Sequence, residues 1–469
     1  MRKSDARRPA QAPAKPQDRV SLRAIAGFGA GSLGTGIYSS VPSVLLLFFM
    51  TDTLGIAPGL ASLAVFLPKI WDVVTDPVMG LISDRTRSRW GRRRPYLLAG
   101  ALLMTVTFIF LFSVPDFETP RESFFYVLIV FTLSATAYTI YAVPYIAMPA
   151  EMSADHHQRT IIMSYRMTFA MAGILLGSAL APYVVAWAGG GRDGYAAMSY
   201  VVGGICAASM LTAFFATRDV PSTMPGAGTT PPLAAQFRML VRNRPFQILL
   251  AIYVTQLTAM GTFTAGIPYF AIHVLHRDTA LIGTIFLVFL GTAILTMAVW
   301  TFGAKLMGKR ASFMVASLVY GLGTLSLFLT PAEGDLTFFW LQMAILGFGF
   351  AGMQMLPFSM LTDAIRLDNL RTRVFREGVF TGIWTASEKL GLAVGPLIAG
   401  LVLGASGFRE STAEAIAAQP ASAIEGIRML IALIPALSII ASIALIRIYP
   451  ITENFLVAEE RAFAHADRA

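Results

Sequence analysis

The chain has 469 residues, of which 55% are apolar and 13% charged, with a mean hydropathy of +0.64. A soluble domain carries about 25% charge, so this chain cannot clothe a water-facing surface. A soluble enzyme, a nucleic-acid-binding protein and a disordered scaffold are thereby excluded. The net charge of +9 falls between apolar runs, where membrane topology accounts for it. A single cysteine, Cys206, excludes a disulfide framework and a cysteine-ligated metal site.

In chain order, residues 1–23 carry seven Lys or Arg and three Pro, with no apolar core followed by a cleavage site. They read as a disordered cytoplasmic tail, and the first span is its own uncleaved signal. A membrane-crossing helix needs about 20 mostly apolar residues. Twelve such stretches follow, at 24–50, 59–83, 96–114, 123–148, 160–187, 194–217, 246–272, 279–304, 311–330, 336–361, 378–405 and 427–449. The polar stretch 218–245, with a Pro- and Gly-rich core, reads as a flexible cytoplasmic linker. It separates a six-helix half at 24–217 from a second at 246–449, and 450–469 forms a cytoplasmic tail in which Glu453 to Arg461 can make a short amphipathic helix. The predicted fold class is an all-α membrane protein with twelve transmembrane helices in two halves.

Of the Lys and Arg residues, 28 fall on the side of the N-terminus and five on the other, while Lys69, Arg166 and Lys389 lie inside spans. This bias predicts cytoplasmic termini. The expected setting is the plasma membrane, a bacterial inner membrane, with the bilayer as partner, no nucleic acid, and a monomer.

A charged side chain at membrane depth costs at least about 2.5 kcal/mol on insertion scales, so those within spans are functional candidates. Asp72 and Asp76 are four residues apart with Thr75 between them, which puts three oxygen-bearing side chains on one helical face. Two close carboxylates suit a hard monovalent cation, and they equally suit a proton because they resist ionising together. Lys69 lies three residues before Asp72, and an ion pair that merely satisfies the helix is the plain alternative. Lys389, deep in the eleventh span, can oppose the carboxylates when no cation is bound, or can snorkel to an interface. After the second span come Gly80, Asp84, Arg85, Arg87, Arg89, Gly91, Arg92, Arg93 and Arg94. Such a loop can pin helix ends, with Asp84 pairing to an arginine and Gly91 permitting a tight turn. Gly303 to Arg310 occupies the equivalent place in the second half. Tyr38, Tyr141, Tyr145 and Gln256 are candidates to line a cavity or to pack between helices, and Glu388, four residues after Trp384, either faces that cavity or pairs with a basic neighbour.

Twelve spans in two halves with this loop resemble the major facilitator superfamily. Lys69-Ile-Trp71-Asp72-Val-Val-Thr75-Asp76-Pro77-Val-Met-Gly80, running into Asp84-Arg85 and Gly91-Arg92-Arg93-Arg94-Pro95, is similar to the second helix and loop of its glycoside–pentoside–hexuronide:cation symporters, the melibiose-permease-like group. Tyr138-Thr139 with Pro144-Tyr145, Leu361-Thr-Asp363, and Trp384-Thr385 with Glu388-Lys389 resemble that group's fourth, tenth and eleventh helices. The resemblance covers residues 24 to 450. It implies a cation-coupled secondary symporter of a sugar or sugar-acid derivative, not an enzyme, working by alternating access. It also implies that Thr139 completes a cation site with Asp72, Thr75 and Asp76, and that Arg166, Trp384 and Thr385 face substrate. No cofactor is implied beyond the coupling ion, Na⁺ or H⁺. The acids that sugar-transporting relatives carry on the first and fourth helices are missing here, where Gly36 and Ala142 stand. An unpaired Arg166 would then favour an anionic substrate. A carrier of a lysophospholipid or other anionic amphiphile, a non-transporting sensor of the same fold, and a lipid-modifying enzyme using Asp72 and Asp76 remain as alternatives. His156 and His157 read as loop residues, and His273 and His276 as lying near an outer helix end.

Overall fold

In the computed structural model, residues 20–153, 155–218, 220, 243–331, 334–372, 377–412 and 417–466 are described. The bulk of the predicted N-terminal tail (1–19), the linker core (221–242) and the last three residues therefore lie outside them. Among the described residues twelve long helices run back and forth: α1 (Leu22–Asp52), α2 (Pro58–Arg85), α3 (Arg94–Phe112), α4 (Pro120–Ala147), α5 (His156–Trp187), α6 (Gly191–Ala216), α7 (Arg244–Val274), α8 (Thr279–Met307), α9 (Lys309–Leu329), α10 (Thr337–Thr372), α11 (Glu377–Ala405) and α12 (Ala421–Ile448). A further helix, α13 (Glu453–Ala466), follows.

Eleven of the twelve are long and apolar enough to cross a membrane. The remaining one is α2, whose 28 residues have the length but whose middle holds Lys69, Asp72 and Asp76. The charges that lower its hydropathy are the ones the sequence marks as functional.

The two halves repeat one packing scheme. In the first, α1 lies along α5 and α6, α3 along α4 and α6, and α2 along α4; in the second, α7 lies along α11 and α12, α9 along α10 and α12, and α8 along α10. The halves meet through α2 on α11 and α5 on α8. Close approach is bought with glycine: a Cβ at Gly36 would strike the backbone of α5 at Ala170 and Ile174.

We call the face carrying both chain ends the terminal face and its opposite the distal face. The distal face is sealed between the halves. Thr51 bonds the Tyr269 hydroxyl at 2.7 Å, the Ser411 amide donates to the Thr51 carbonyl at 3.0 Å, Leu54 and Thr412 form an isolated antiparallel bridge, and Tyr183 bonds Thr284. Nearby, Gly400 of α11 rests directly on Pro58 and Ser62 of α2.

Three boundaries differ from expectation. The tenth span was expected to end near 361, yet α10 continues to Thr372. Ala364, Ile365 and Leu367 stay buried there, and Lys309 holds Asp363 through both carboxylate oxygens at 2.7 and 2.8 Å. His156 and His157 open α5 rather than lying in a loop, because Asp155 caps the helix by accepting from the His157 amide. In the tail the expected short helix from Glu453 is present but runs past Arg461 to Ala466, and Arg371 of α10 pairs with Glu459 of α13.

Candidate functional site

Near the middle of α2, Asp72 and Asp76 face α4 and α11. Asp72 is 1% exposed, whereas Asp76 retains 26% and Lys389 20%, so one carboxylate is enclosed and the other partly exposed. The Thr139 hydroxyl on α4 lies 2.8 Å from Asp76 Oδ1 and 3.5 Å from Asp72 Oδ1, bridging the pair. Lys389 of α11 closes on Asp76 Oδ2 from the other half. Lys69 stands 3.7 Å from Asp72 Oδ2 and lies over the Phe131 ring at 5.4 Å. That oxygen is buried with no hydrogen-bond partner, an expensive state for a charged acceptor and a suitable one for an arriving cation.

The Thr75 hydroxyl donates to its own helix, to the carbonyls of Trp71 at 3.1 Å and Asp72 at 3.4 Å. Its oxygen remains on the acidic face, but the hydroxyl is turned back along the helix. Pro77 and Pro144 interrupt α2 and α4 beside the site. Each removes an amide donor, so the carbonyl four residues earlier loses its usual helical partner.

Tyr138, part of the fourth-helix motif in the sequence but given no role there, packs against this cluster. Its ring stacks on Tyr38 at 5.4 Å, and Lys389 Nζ lies 5.6 Å from its centre. Arg166 sits on α5, over the Tyr145 ring at 6.0 Å, with a 3.9 Å contact to Met167 sulfur. Its buried Nε has no partner, and no carboxylate pairs with it among the described residues.

Several expected cavity residues are instead packing residues in this conformation. Tyr38 bonds Ser134. Tyr141 reaches the Met210 carbonyl, and Tyr145 bonds Ser32 at 2.9 Å while stacking on Phe28 at 4.5 Å. Gln256 donates to Ser317 and Ser442 at 2.9 Å each, tying α7 to α9 and α12. Trp384 is buried flat against Tyr253, with ring centres 4.0 Å apart. A buried amphipathic ring whose polar end bonds a neighbouring helix satisfies itself without a ligand, which accounts for Tyr38, Tyr141 and Tyr145; the buried indole nitrogen of Trp384 has no such partner. Thr385 is exposed, and its hydroxyl donates to Thr381. Glu388 is half-buried, beside the Tyr253 hydroxyl and Lys389.

At the terminal face the loop between α2 and α3 is built as expected, with one added partner. Gly91 takes φ +90 and its amide donates to Ser88 O, making the tight turn. Arg93 donates to Asp84 at 3.0 Å, and Arg92 and Arg93 both close on Glu151 after α4. Glu151 was not foreseen, because it stands 59 residues away in sequence. Gly80 lies opposite Val143 of α4, and Arg85 is exposed.

A pseudo-symmetric bundle of two six-helix halves with charged side chains at their junction defines a transporter of the major facilitator type. The chain matches the family described as MFS/sugar transport protein over residues 27–453, and it belongs to that family. It is 28% identical to the putative glycoside/cation symporter YagG of Escherichia coli (strain K12), over 94% of this chain and 95% of that one. It is 23% identical to the glucuronide carrier protein homolog of the same organism, over 93% and 94%. Among solved structures, a bacterial homolog of the human lysosomal transporter Spinster, inward-facing and occupied, superposes with a TM-score of 0.65 at 12% identity, over 96% of this chain and 98% of that one; that likeness concerns the fold alone.

Proposed function

We propose that this protein is a secondary active symporter that couples Na⁺ or H⁺ to uptake of a small anionic sugar derivative. The observation that carries the reading is the junction at Asp76. The first half supplies Asp72, Asp76 and Thr139, and the second supplies the Lys389 ammonium that occupies Asp76 Oδ2. An ion arriving at Asp76 competes with Lys389 and so loosens a tie between the halves, which is what coupling by alternating access requires. Asp72 keeps its own neutralising partner in Lys69, so Asp76 is the carboxylate that exchanges partners.

The anionic character of the substrate follows from Arg166, a cation in the first half that no carboxylate claims among the described residues. The missing acids point the same way: Gly36 is committed to helix contact with α5, and Ala142 is buried. A sugar carboxylate would supply the partner that Arg166 lacks. The relative named as a glucuronide carrier supports this class. By the excess of Lys and Arg on the terminal side, that side faces the cytoplasm of a bacterial cell and the sealed distal side faces outward.

Purified protein in liposomes, with an imposed Na⁺ or H⁺ gradient and radiolabelled glucuronide, tests the reading. Accumulation under one of the two gradients, abolished in Asp76→Asn, is expected. Equal uptake without any gradient, or undiminished concentrative uptake by Asp76→Asn, would overturn it.

A further inference from the structure

Asp76 claims the Lys389 ammonium across the junction, and the residue just before it is left without a counter-ion. Glu388 lies well inside α11, at a depth where an ionisable side chain is expensive and is seldom kept without a use. No Lys, Arg or His forms an ion pair with it among the described residues. The Tyr253 hydroxyl of α7 lies beside it. That hydroxyl and the nearby Trp384 Nε1 are themselves buried with no hydrogen-bond partner. One carboxylate and two donors therefore stand together with bonding capacity that helix packing leaves unfilled.

The same spot carries an open aromatic surface. Phe358 of α10 packs edge-on to Tyr253 at 5.9 Å and tilted to Trp384 at 5.7 Å, yet remains 41% exposed. Its contacts reach α7 and α11, so the exposed ring lies on the side of α10 turned to those helices. Across the junction stands Tyr138 of α4, with Lys389 Nζ 5.6 Å from its ring and Arg166 within electrostatic reach. Arg166 of the first half and Glu388 of the second thus border the same region from opposite sides.

We propose that Glu388 is a specificity-determining residue that accepts the hydroxyl groups of the substrate, with the Phe358 ring as the apolar surface beneath the sugar. The proposal rests on the anionic-sugar reading above and deepens it. A sugar acid brings one carboxylate and several hydroxyl donors. Arg166 can take the carboxylate, and the donors need acceptors. Asp72 and Asp76 are held by Lys69, Thr139 and Lys389, whereas the Glu388 oxygens are uncommitted to any cation. A carboxylate accepts two neighbouring hydroxyls at once, and such charge-assisted bonds are about twice as strong as neutral ones. A pocket that pairs a few polar groups with an aromatic wall fixes both the orientation and the identity of its ligand. The substrate class is accordingly a polyhydroxylated acid, held at its carboxylate by one half and at its hydroxyls by the other.

Calorimetry on full-length protein in nanodiscs tests this, with methyl β-D-glucuronide, its single-deoxy analogues and the corresponding glucuronamide as probes. Native protein is expected to bind at least one deoxy analogue about tenfold more weakly than the parent, and the amide about tenfold more weakly as well. In Glu388→Gln the deoxy penalty should shrink to about threefold, since a neutral acceptor forms the weaker bond, while the amide penalty stays. Arg166→Ala should show the reverse pattern. Phe358→Leu should weaken all the sugars by a similar factor of a few and preserve their order. If Glu388→Gln does not fold, Glu388→Asp carries the same test, because the shorter side chain withdraws the carboxylate and should cut the deoxy penalty to a similar extent. A full deoxy penalty retained in the folded variant overturns the proposal alone, as does native binding of the parent sugar with no deoxy penalty at any position. Native protein that binds none of these sugars overturns the anionic-sugar reading and this proposal with it. No gradient is applied, so the outcome is independent of ion coupling.

Discussion

The two halves share a helix arrangement but spend their polar residues differently. In the second half the buried amides are consumed internally: Gln256 ties α7 to Ser317 and Ser442, and Gln342 ties α10 to Ser326 and Thr330. In the first half Asp72, Asp76 and Thr139 remain directed at the junction, and the second half answers at Asp76 with Lys389. On the proposed reading of coupling, one half is the receptor and the other the lever. A polar group satisfied within its own helix cluster stiffens that cluster, whereas a charge left at a junction can change partner as the halves rock.

That contrast can be broken most severely at Asp76. Asp76→Asn removes the exchangeable carboxylate while leaving α2 packed, and gradient-driven uptake should fall by about 100-fold or more, given that a hydrogen bond to a charged group contributes roughly 1.5–3 kcal/mol and this one has two such partners. Protein level and melting temperature should stay close to native. Asp72→Asn should also abolish coupled uptake, but with a larger loss of thermal stability because it strands Lys69.

Arg166→Ala addresses the receptor's other function. Substrate affinity, measured by calorimetry, should weaken about tenfold or more while ion binding holds, and Arg166→Lys should recover only part of it because the planar fork is lost. A neutral galactoside should compete poorly with native protein and no better with the variant. If it competes at sub-millimolar concentration, the assignment of an anionic substrate class fails.

Thr139→Val keeps shape and removes the hydroxyl that bridges the two carboxylates. Ion affinity should drop about five- to tenfold, in line with one hydrogen bond of about 1–1.5 kcal/mol. The smallest change is expected at Thr75, whose hydroxyl donates back to its own helix. Thr75→Ala should alter ion affinity by about twofold or less, whereas Thr75→Asn, which offers a side-chain carbonyl, should raise the preference for Na⁺ over H⁺. A large effect of Thr75→Ala would make that residue a full ligand and narrow the contrast with Thr139.

The sequence by itself determined the class of fold, the twelve helices and the identity of the charged pair. Apolar length and i, i+4 spacing are local quantities, and both survive folding unchanged. It also marked Lys389, since an ammonium deep in an apolar run demands a partner. It did not say which carboxylate that partner is. Asp76 lies 313 residues away, and only the packing of α11 on α2 chooses it over Asp72. Likewise the aromatic candidates Tyr38, Tyr141, Tyr145 and Trp384 carry no signal that distinguishes a cavity wall from a helix contact. Burial and ring stacking decided against the cavity. Glu151 was passed over because it follows a helix and is unremarkable in its own segment, and His273 was read only as lying near an outer helix end. Glu151 finds its arginines where α3 meets the end of α4, and His273 meets Asp52 where α7 of one half meets α1 of the other. Electrostatic partnership depends on distance through space, and at these junctions the chain's own order carries no record of it.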